Sequence, residues 1–239
     1  MVAIKKIYLW TNLVRPEWKP WANTLFYYKF EQNLNDSSWN NRTATWSNIG
    51  YTQVNWQYVV TNTSTSNSYI KPPAISWSWI SDFAISFWLY PINPWNSRQP
   101  LIFAQSESSS PYKWPNIFYW PDVYSSWWST NSLMFRLSSS NQQHTWVISL
   151  NTWHHVVFTR SSWTCKAYVD GSNVLTWTDT TTWGTPAQLY VFNSNNDSSK
   201  QGWGNTWAKA DDYIYEKVAW SADDVTNYYD LTKRKYWIS

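Results

Sequence analysis

Apolar and polar residues alternate along most of the chain in short runs separated by Ser-, Thr- and Asn-rich connections. Phe83-Ala84-Ile85-Ser86-Phe87-Trp88-Leu89-Tyr90 and Trp153-His154-His155-Val156-Val157-Phe158-Thr159 carry the aromatic and β-branched residues that suit pleated strands. The pattern predicts strands at 24–31, 56–61, 68–75, 82–90, 99–104, 116–120, 132–138, 144–150, 153–160, 164–170, 173–178, 187–193 and 209–217. Many short strands broken by turn signals predict an all-β sandwich or barrel. Asp170-Gly171, between Tyr168-Val169 and Val174-Leu175, predicts a tight hairpin. One helix is predicted from Ser221, whose hydroxyl serves as N-cap ahead of Asp223 and Asp224 in the first turn. Residues 1–23 read as a separate leader and 232–239 as a tail, with a single domain over 24–231.

Composition changes this picture at one point. The chain has 23 Trp and only 5 Gly, where average usage implies about 17 glycines. Trp39 in Asp36-Ser37-Ser38-Trp39-Asn40 and Trp163 in Ser161-Ser162-Trp163-Thr164 stand among turn formers, where glycine is the residue that tolerates φ > 0. Trp177, Trp183, Trp203 and Trp207 have similar surroundings, whereas Trp88, Trp153 and Trp220 fit strand or staple positions. The expectation is that many indoles are UGA codons that the source lineage, an uncultured bacterium in this reading, decodes as glycine. On that expectation the suspect positions lie in exposed turns and the genuine tryptophans are buried. A chain truly rich in Trp, with many sugar-stacking platforms, is the alternative.

Charge excludes some partners. The net charge is +3 and charged residues make up 14% of the chain. The Lys233-Arg234-Lys235 run is too short to suggest nucleic-acid binding and reads as a solvated tail. No apolar run approaches the ~18–20 residues of a membrane helix, and no secretion signal is visible near the N-terminus. Cys165 is alone, so no internal disulfide forms.

Four stretches in order resemble the laminin-G-like jelly rolls of the concanavalin A-like lectin/glucanase superfamily. Phe26-Tyr27-Tyr28-Lys29-Phe30 through Asp36-Ser37-Ser38-Trp39-Asn40 resembles their opening strand and turn. Phe83 to Pro91 resembles the central strand, and Trp153 to Arg160 followed by Ala167-Tyr168-Val169-Asp170-Gly171 resembles their hairpin. Ala210-Asp211-Asp212-Tyr213-Ile214-Tyr215 through Trp220-Ser221-Ala222-Asp223-Asp224-Val225 resembles the last strand and closing helix. The resemblance implies an all-β, two-sheet antiparallel jelly-roll β-sandwich with one short C-terminal helix. Ile7 to Pro16 also resembles a segment of phage tail-associated proteins.

The resemblance bears on three kinds of chemistry. Glucanases share this sandwich, but the family's Glu-x-Asp-x-x-Glu strand is missing, and Glu17, Glu31, Glu107 and Glu216 are isolated; glycoside hydrolysis needs two flanking carboxyls. The chain is therefore expected not to be an enzyme. A single Ca²⁺ is implied at the family's motif positions, with Asp36, Asn40, Asp211 and Asp212 as oxygen donors. The same residues admit a metal-free reading, with Asp36 capping its own turn and Asp212 paired with a cation. His154 and His155 point to opposite faces of a strand and cannot chelate one ion together; their expected work is structural. For sugar stacking, Tyr112, Trp120, Tyr124, Trp127 and Trp128 lie in or beside the long connection 105–131, where a loop-borne site is expected. At least one of Trp127 and Trp128 also fits a recoded glycine.

These features predict a non-catalytic module that binds a glycan or glycoprotein at a cell or virion surface, within a larger oligomeric assembly. A structural or adhesive phage-tail-like component without sugar recognition is the alternative.

Overall fold

The computed structural model describes residues 23–54, 56–62, 68–73, 82–92, 101–106, 115–120, 132–138, 141–145, 148–180, 188–191 and 208–236. These residues form two antiparallel sheets stacked as a jelly-roll sandwich. The first sheet contains β1 (Thr24–Tyr28), β3 (Ile49–Val54), β4 (Gln57–Asn62), β6 (Phe83–Pro91), β11 (His154–Ser161), β12 (Thr164–Val169), β13 (Ser172–Thr178) and β15 (Ala208–Glu216). Its order is β13-β12-β11-β6-β15-β4-β3, with β1 paired to β15 off that path. The second sheet contains β2 (Thr45–Ser47), β5 (Tyr69–Lys71), β7 (Leu101–Ser106), β8 (Asn116–Trp120), β9 (Ser132–Ser138), β10 (Asn141–Thr145) and β14 (Gln188–Val191), ordered β10-β9-β8-β7-β14-β5-β2.

Alternation assigns each strand two faces. Phe83, Ile85, Phe87 and Leu89 of β6, Val156 and Phe158 of β11, and Tyr213 and Tyr215 of β15 meet Ile117, Leu133, Phe135 and Leu137 of the second sheet in the inter-sheet core. The intervening residues of the central strands β6, β11 and β15 face outward and are buried by a second layer, the helix α1 (Ala222–Thr232) and the 3-10 turn Lys233–Tyr236. Val225 and Tyr228 of α1 pack with Trp220 on Tyr27, Ala84, Val157, Tyr168 and Ile214. Tyr236 packs with Val59, Trp88 and Trp153. The expected N-cap is present as a capping box: Ser221 Oγ accepts from the Asp224 amide at 3.2 Å, and Asp224 accepts from the Ser221 amide at 2.7 Å.

Strands β2 and β3 and the C-terminal segment differ from the pattern reading. Strands β2 and β3 fall where no apolar alternation exists, since Ile49 is the buried residue among mostly exposed or half-buried neighbours. The Lys233–Tyr236 segment is docked on the sheet, with Tyr236 buried and Arg234 and Lys235 exposed.

Candidate functional site

The expected sugar-stacking residues Tyr112, Tyr124, Trp127 and Trp128 lie outside the described residues. Trp120 ends β8, paired across from Ser132 of β9 in the second sheet.

Asp36 is the hub of the turn after β1. Its Oδ1 accepts from the amides of Tyr27 (2.9 Å) and Ser38 (2.8 Å), and its Oδ2 from Ser38 Oγ (2.7 Å) and the Arg42 amide (2.9 Å). Asn40 turns its amide nitrogen to the carbonyl of Thr24, tying the turn to the strand. The Ser38 bond is the Asx-type cap that the metal-free reading anticipates.

Asp211 and Asp212 occupy a bulge in β15. The register shifts between Asp211 and Ile214, and Asp212 adopts φ 47°. Successive strand residues normally face opposite sides; the extra residue brings both carboxylates to the outer face. There Asp211 Oδ2 accepts from Tyr236 Oη at 2.7 Å and Gln57 Nε2 at 3.1 Å. Asp212 accepts from Tyr27 Oη at 2.9 Å and from the Lys235 ammonium at 2.7 Å. Burial, and then the neighbouring Asp212, push the Asp211 carboxyl well above the usual carboxylate range. Tyr236 is likewise raised well above an ordinary phenol, first by burial and then by Asp211.

A calcium ion needs six to eight oxygen lone pairs turned to one point. In this arrangement Asp36 spends its lone pairs on four protein donors, and an ammonium already sits on Asp212. Among the described residues no group of three His, Cys, Asp or Glu side chains converges as a metal site. The four residues as placed do not fit the ion.

The outer-face cluster also contains groups that the pattern reading did not single out. The Tyr236 ring lies on Trp88, with centroids 4.1 Å apart and planes at 27°, and 4.8 Å from Trp153. Trp88 Nε1 donates to Thr232 Oγ1 at 3.1 Å. His155 pairs through Nε2 with Ser86 Oγ at 2.8 Å, and burial lowers its pKa to about 3, so it is neutral. His154 Nδ1 lies 2.7 Å from Asp170 Oδ2, and the His155 amide donates to Asp170 Oδ1 at 2.8 Å. The pair thus works structurally on opposite faces of β11. The legible signal for this cluster was the Asp-Asp doublet in a strand, because one of two adjacent acids would otherwise enter the core.

A sequence profile for the concanavalin A-like lectin/glucanases superfamily matches residues 63–211. The chain belongs to that superfamily. No curated protein sequence matches it. Among solved structures, this concanavalin A-like chain is similar to the binding domain of Paraclostridial Mosquitocidal Protein 1. The TM-score is 0.64 at 16% identity, covering 87% of this chain and 52% of that one. It is similar to the Botulinum Neurotoxin Type G receptor binding domain, with TM-score 0.65 at 14% identity over 88% of this chain and 51% of that one. The chain thus spans about half the length of these toxin domains. It is also similar to Domain 4 of AbnA, a GH43 extracellular arabinanase from Geobacillus stearothermophilus, in complex with arabinotriose. There the TM-score is 0.60 at 17% identity, covering 86% of this chain and 97% of that one.

Within this concanavalin A-like sandwich, Glu216 is buried and held by Thr24 Oγ1 at 3.0 Å and Trp220 Nε1 at 2.8 Å, and Glu31 accepts weakly from the Tyr58 amide at 3.4 Å. Glu17 and Glu107 lie outside the described residues. Trp39 is 81% and Trp163 46% exposed, while Trp88, Trp153 and Trp220 are buried; Trp183, Trp203 and Trp207 lie outside the described residues. Trp56, 85% exposed, lies in the two-residue loop between the paired Val54 and Gln57. Trp177, in contrast, is a half-buried strand residue stacked on Phe158 at 5.5 Å. No tryptophan among the described residues adopts positive φ; that conformation falls on neighbours such as Asn41 and Ser162. The backbone strain expected at Trp39 and Trp163 is therefore not located on the indole-bearing residues.

Proposed function

We propose that this chain is a non-catalytic module that binds a glycan or glycoprotein at a cell or virion surface. The observation that carries the reading is the match to nearly the whole of Domain 4 of the arabinanase, a domain whose structure holds arabinotriose. The toxin domains it resembles are likewise named as binding domains. A non-catalytic role is supported by the state of the acids: Asp211, Asp212 and Glu216 are buried and bonded to protein donors, unlike a carboxyl pair flanking a scissile bond. The ligand platform is assigned to Tyr112, Trp120, Tyr124 and Trp128, in or beside the connection 105–131 of the sequence. Aromatic faces there would cover the apolar C–H face of a sugar ring. The exposed indoles Trp39, Trp56 and Trp163 have no part in that platform; we propose that these positions are UGA codons read as glycine, and UGG codons in the coding DNA would refute this.

A glycan array probed with the chain, with and without chelator, tests the reading. Binding to one glycan class that persists in chelator is expected. A folded protein that binds no glycan and assembles into trimers or particles would favour a structural, tail-like role.

A further inference from the structure

The outer face of the first sheet holds an arrangement that goes beyond packing. Trp88 presents a ring face, Trp153 lies tilted at 47°, and Asp211 and Asp212 present oxygens on one rim, with Gln57 bonded to Asp211 behind them. The group between them is Tyr236, a flat six-membered ring whose hydroxyl donates to Asp211 at 2.7 Å and approaches Asp212 at 3.5 Å. One indole stacked beneath a ring and a second tilted against it, with two carboxyls at its hydroxyl edge, is the chemistry that recognises a saccharide ring. We propose that this is a second, internally occupied saccharide site, in which Tyr236 stands as a built-in ligand and the Lys233–Tyr236 turn as its strap. The proposal rests on the glycan-binding reading above and adds to it a location and a gate.

Three observations support it. The site has unused hydrogen-bonding capacity: Asp211 Oδ1 is buried with no partner, and so is Nδ1 of the nearby His155. A buried unsatisfied polar atom is uncommon enough to need a reason, and a polyhydroxylated ligand offers donors and acceptors that one phenol lacks. Second, the bulge at Asp212 places two adjacent carboxyls side by side, a pair of acceptors suited to neighbouring hydroxyls, where a core would need neither. Third, the strap itself is slight. It is a four-residue 3-10 turn whose buried side chain is Tyr236, a geometry with weaker hydrogen bonds than an α-helix, and its Lys235 anchor is 42% exposed. Opening the strap would lift Tyr236 off Trp88, Trp153 and both acids, with Tyr229 and Thr232 of α1 still on Trp88 and the inter-sheet core intact.

The test compares the unmodified chain with Tyr236→Ala, each titrated with methyl β-D-glucopyranoside and separately with p-cresol, a copy of the tyrosine side chain. Binding is read from the indole resonances of Trp88 and Trp153. A ligand that competes with the strap binds more tightly once the strap's ring is removed, so Tyr236→Ala should bind the glycoside at least about tenfold more tightly than the parent, and adding Asp211→Asn should abolish the gain. Binding of p-cresol alone, or equal glycoside binding by both proteins, would overturn the proposal. Should Tyr236→Ala not fold, hydrogen exchange of the unmodified chain decides: faster exchange of amides 233–236 in saturating glycoside supports the strap, and unchanged exchange refutes it. An array-positive parent that fails these tests loses only the second site; an array-negative parent loses the broader reading as well.

Discussion

Strand β6 is buried on both faces, but by different means. Its inner residues Phe83, Ile85, Phe87 and Leu89 meet hydrocarbon and aromatic neighbours across the sandwich. Its outer residues Ser86 and Trp88 are held by named hydrogen bonds to His155 and Thr232. Burial of apolar area is indifferent to pH and tolerant of exchange among similar side chains. The outer face depends on the protonation and position of single atoms, and an incompletely satisfied polar network is costly. The difference suggests that the inner face maintains the sandwich, whereas the outer face is the part able to change state.

Substitutions on the two faces should separate them. The largest effect is expected at the inner face: Phe87→Ala should cost about 3–5 kcal/mol, measured by urea unfolding, and that cost should be the same at every pH. A strongly pH-dependent cost would break the comparison.

Next in size is the pH response of the outer face. The unfolded His155 binds a proton below its ordinary 6.5, but the folded one does so only near 3. Its contribution is therefore complete above pH 6.5 and is lost as pH falls toward 3, a loss of up to a few kcal/mol. Asp211 works in the other sense. Its folded form keeps its proton above the ordinary 3.8, so its contribution is complete below that value and declines as pH rises. Thermal unfolding against pH should show His155→Gln flattening the loss toward low pH and Asp211→Asn flattening the decline as pH rises above 3.8. Profiles parallel to the parent would contradict the assignment.

Smaller still, Tyr236→Phe keeps the stacked ring and removes the hydroxyl bonded to Asp211; a loss of about 1–2 kcal/mol is expected from denaturant unfolding. Least of all, Trp56→Gly and Trp163→Gly, at exposed loop positions, should change stability by no more than about 0.5 kcal/mol. A large loss at either would show that the indole has a packing role.

Much of the sandwich was legible because residues such as Phe83 to Tyr90 and Val156 to Thr159 combine alternation with β-propensity, and Ser221 carries a local helix-start signal. Strands β2 and β3 were not legible: their ladders are made of backbone groups, and Thr45, Trp46 and Thr52 show no buried stripe. The outer-face cluster was hidden for another reason. Lys235 and Tyr236 read as a tail in sequence, and only the fold brings them to Asp211, Asp212 and Trp88. Likewise, the turn role of Asp36 was readable from Ser38 two residues on, whereas its bond to the Tyr27 amide depends on strand pairing.

Saccharide binding by this sandwich is what the proposed function stands on. The glycan array on the folded chain tests it most directly. Retention of one class of glycan, competed by the free sugar, is expected; a chain with native near-ultraviolet dichroism that retains no glycan would contradict saccharide binding.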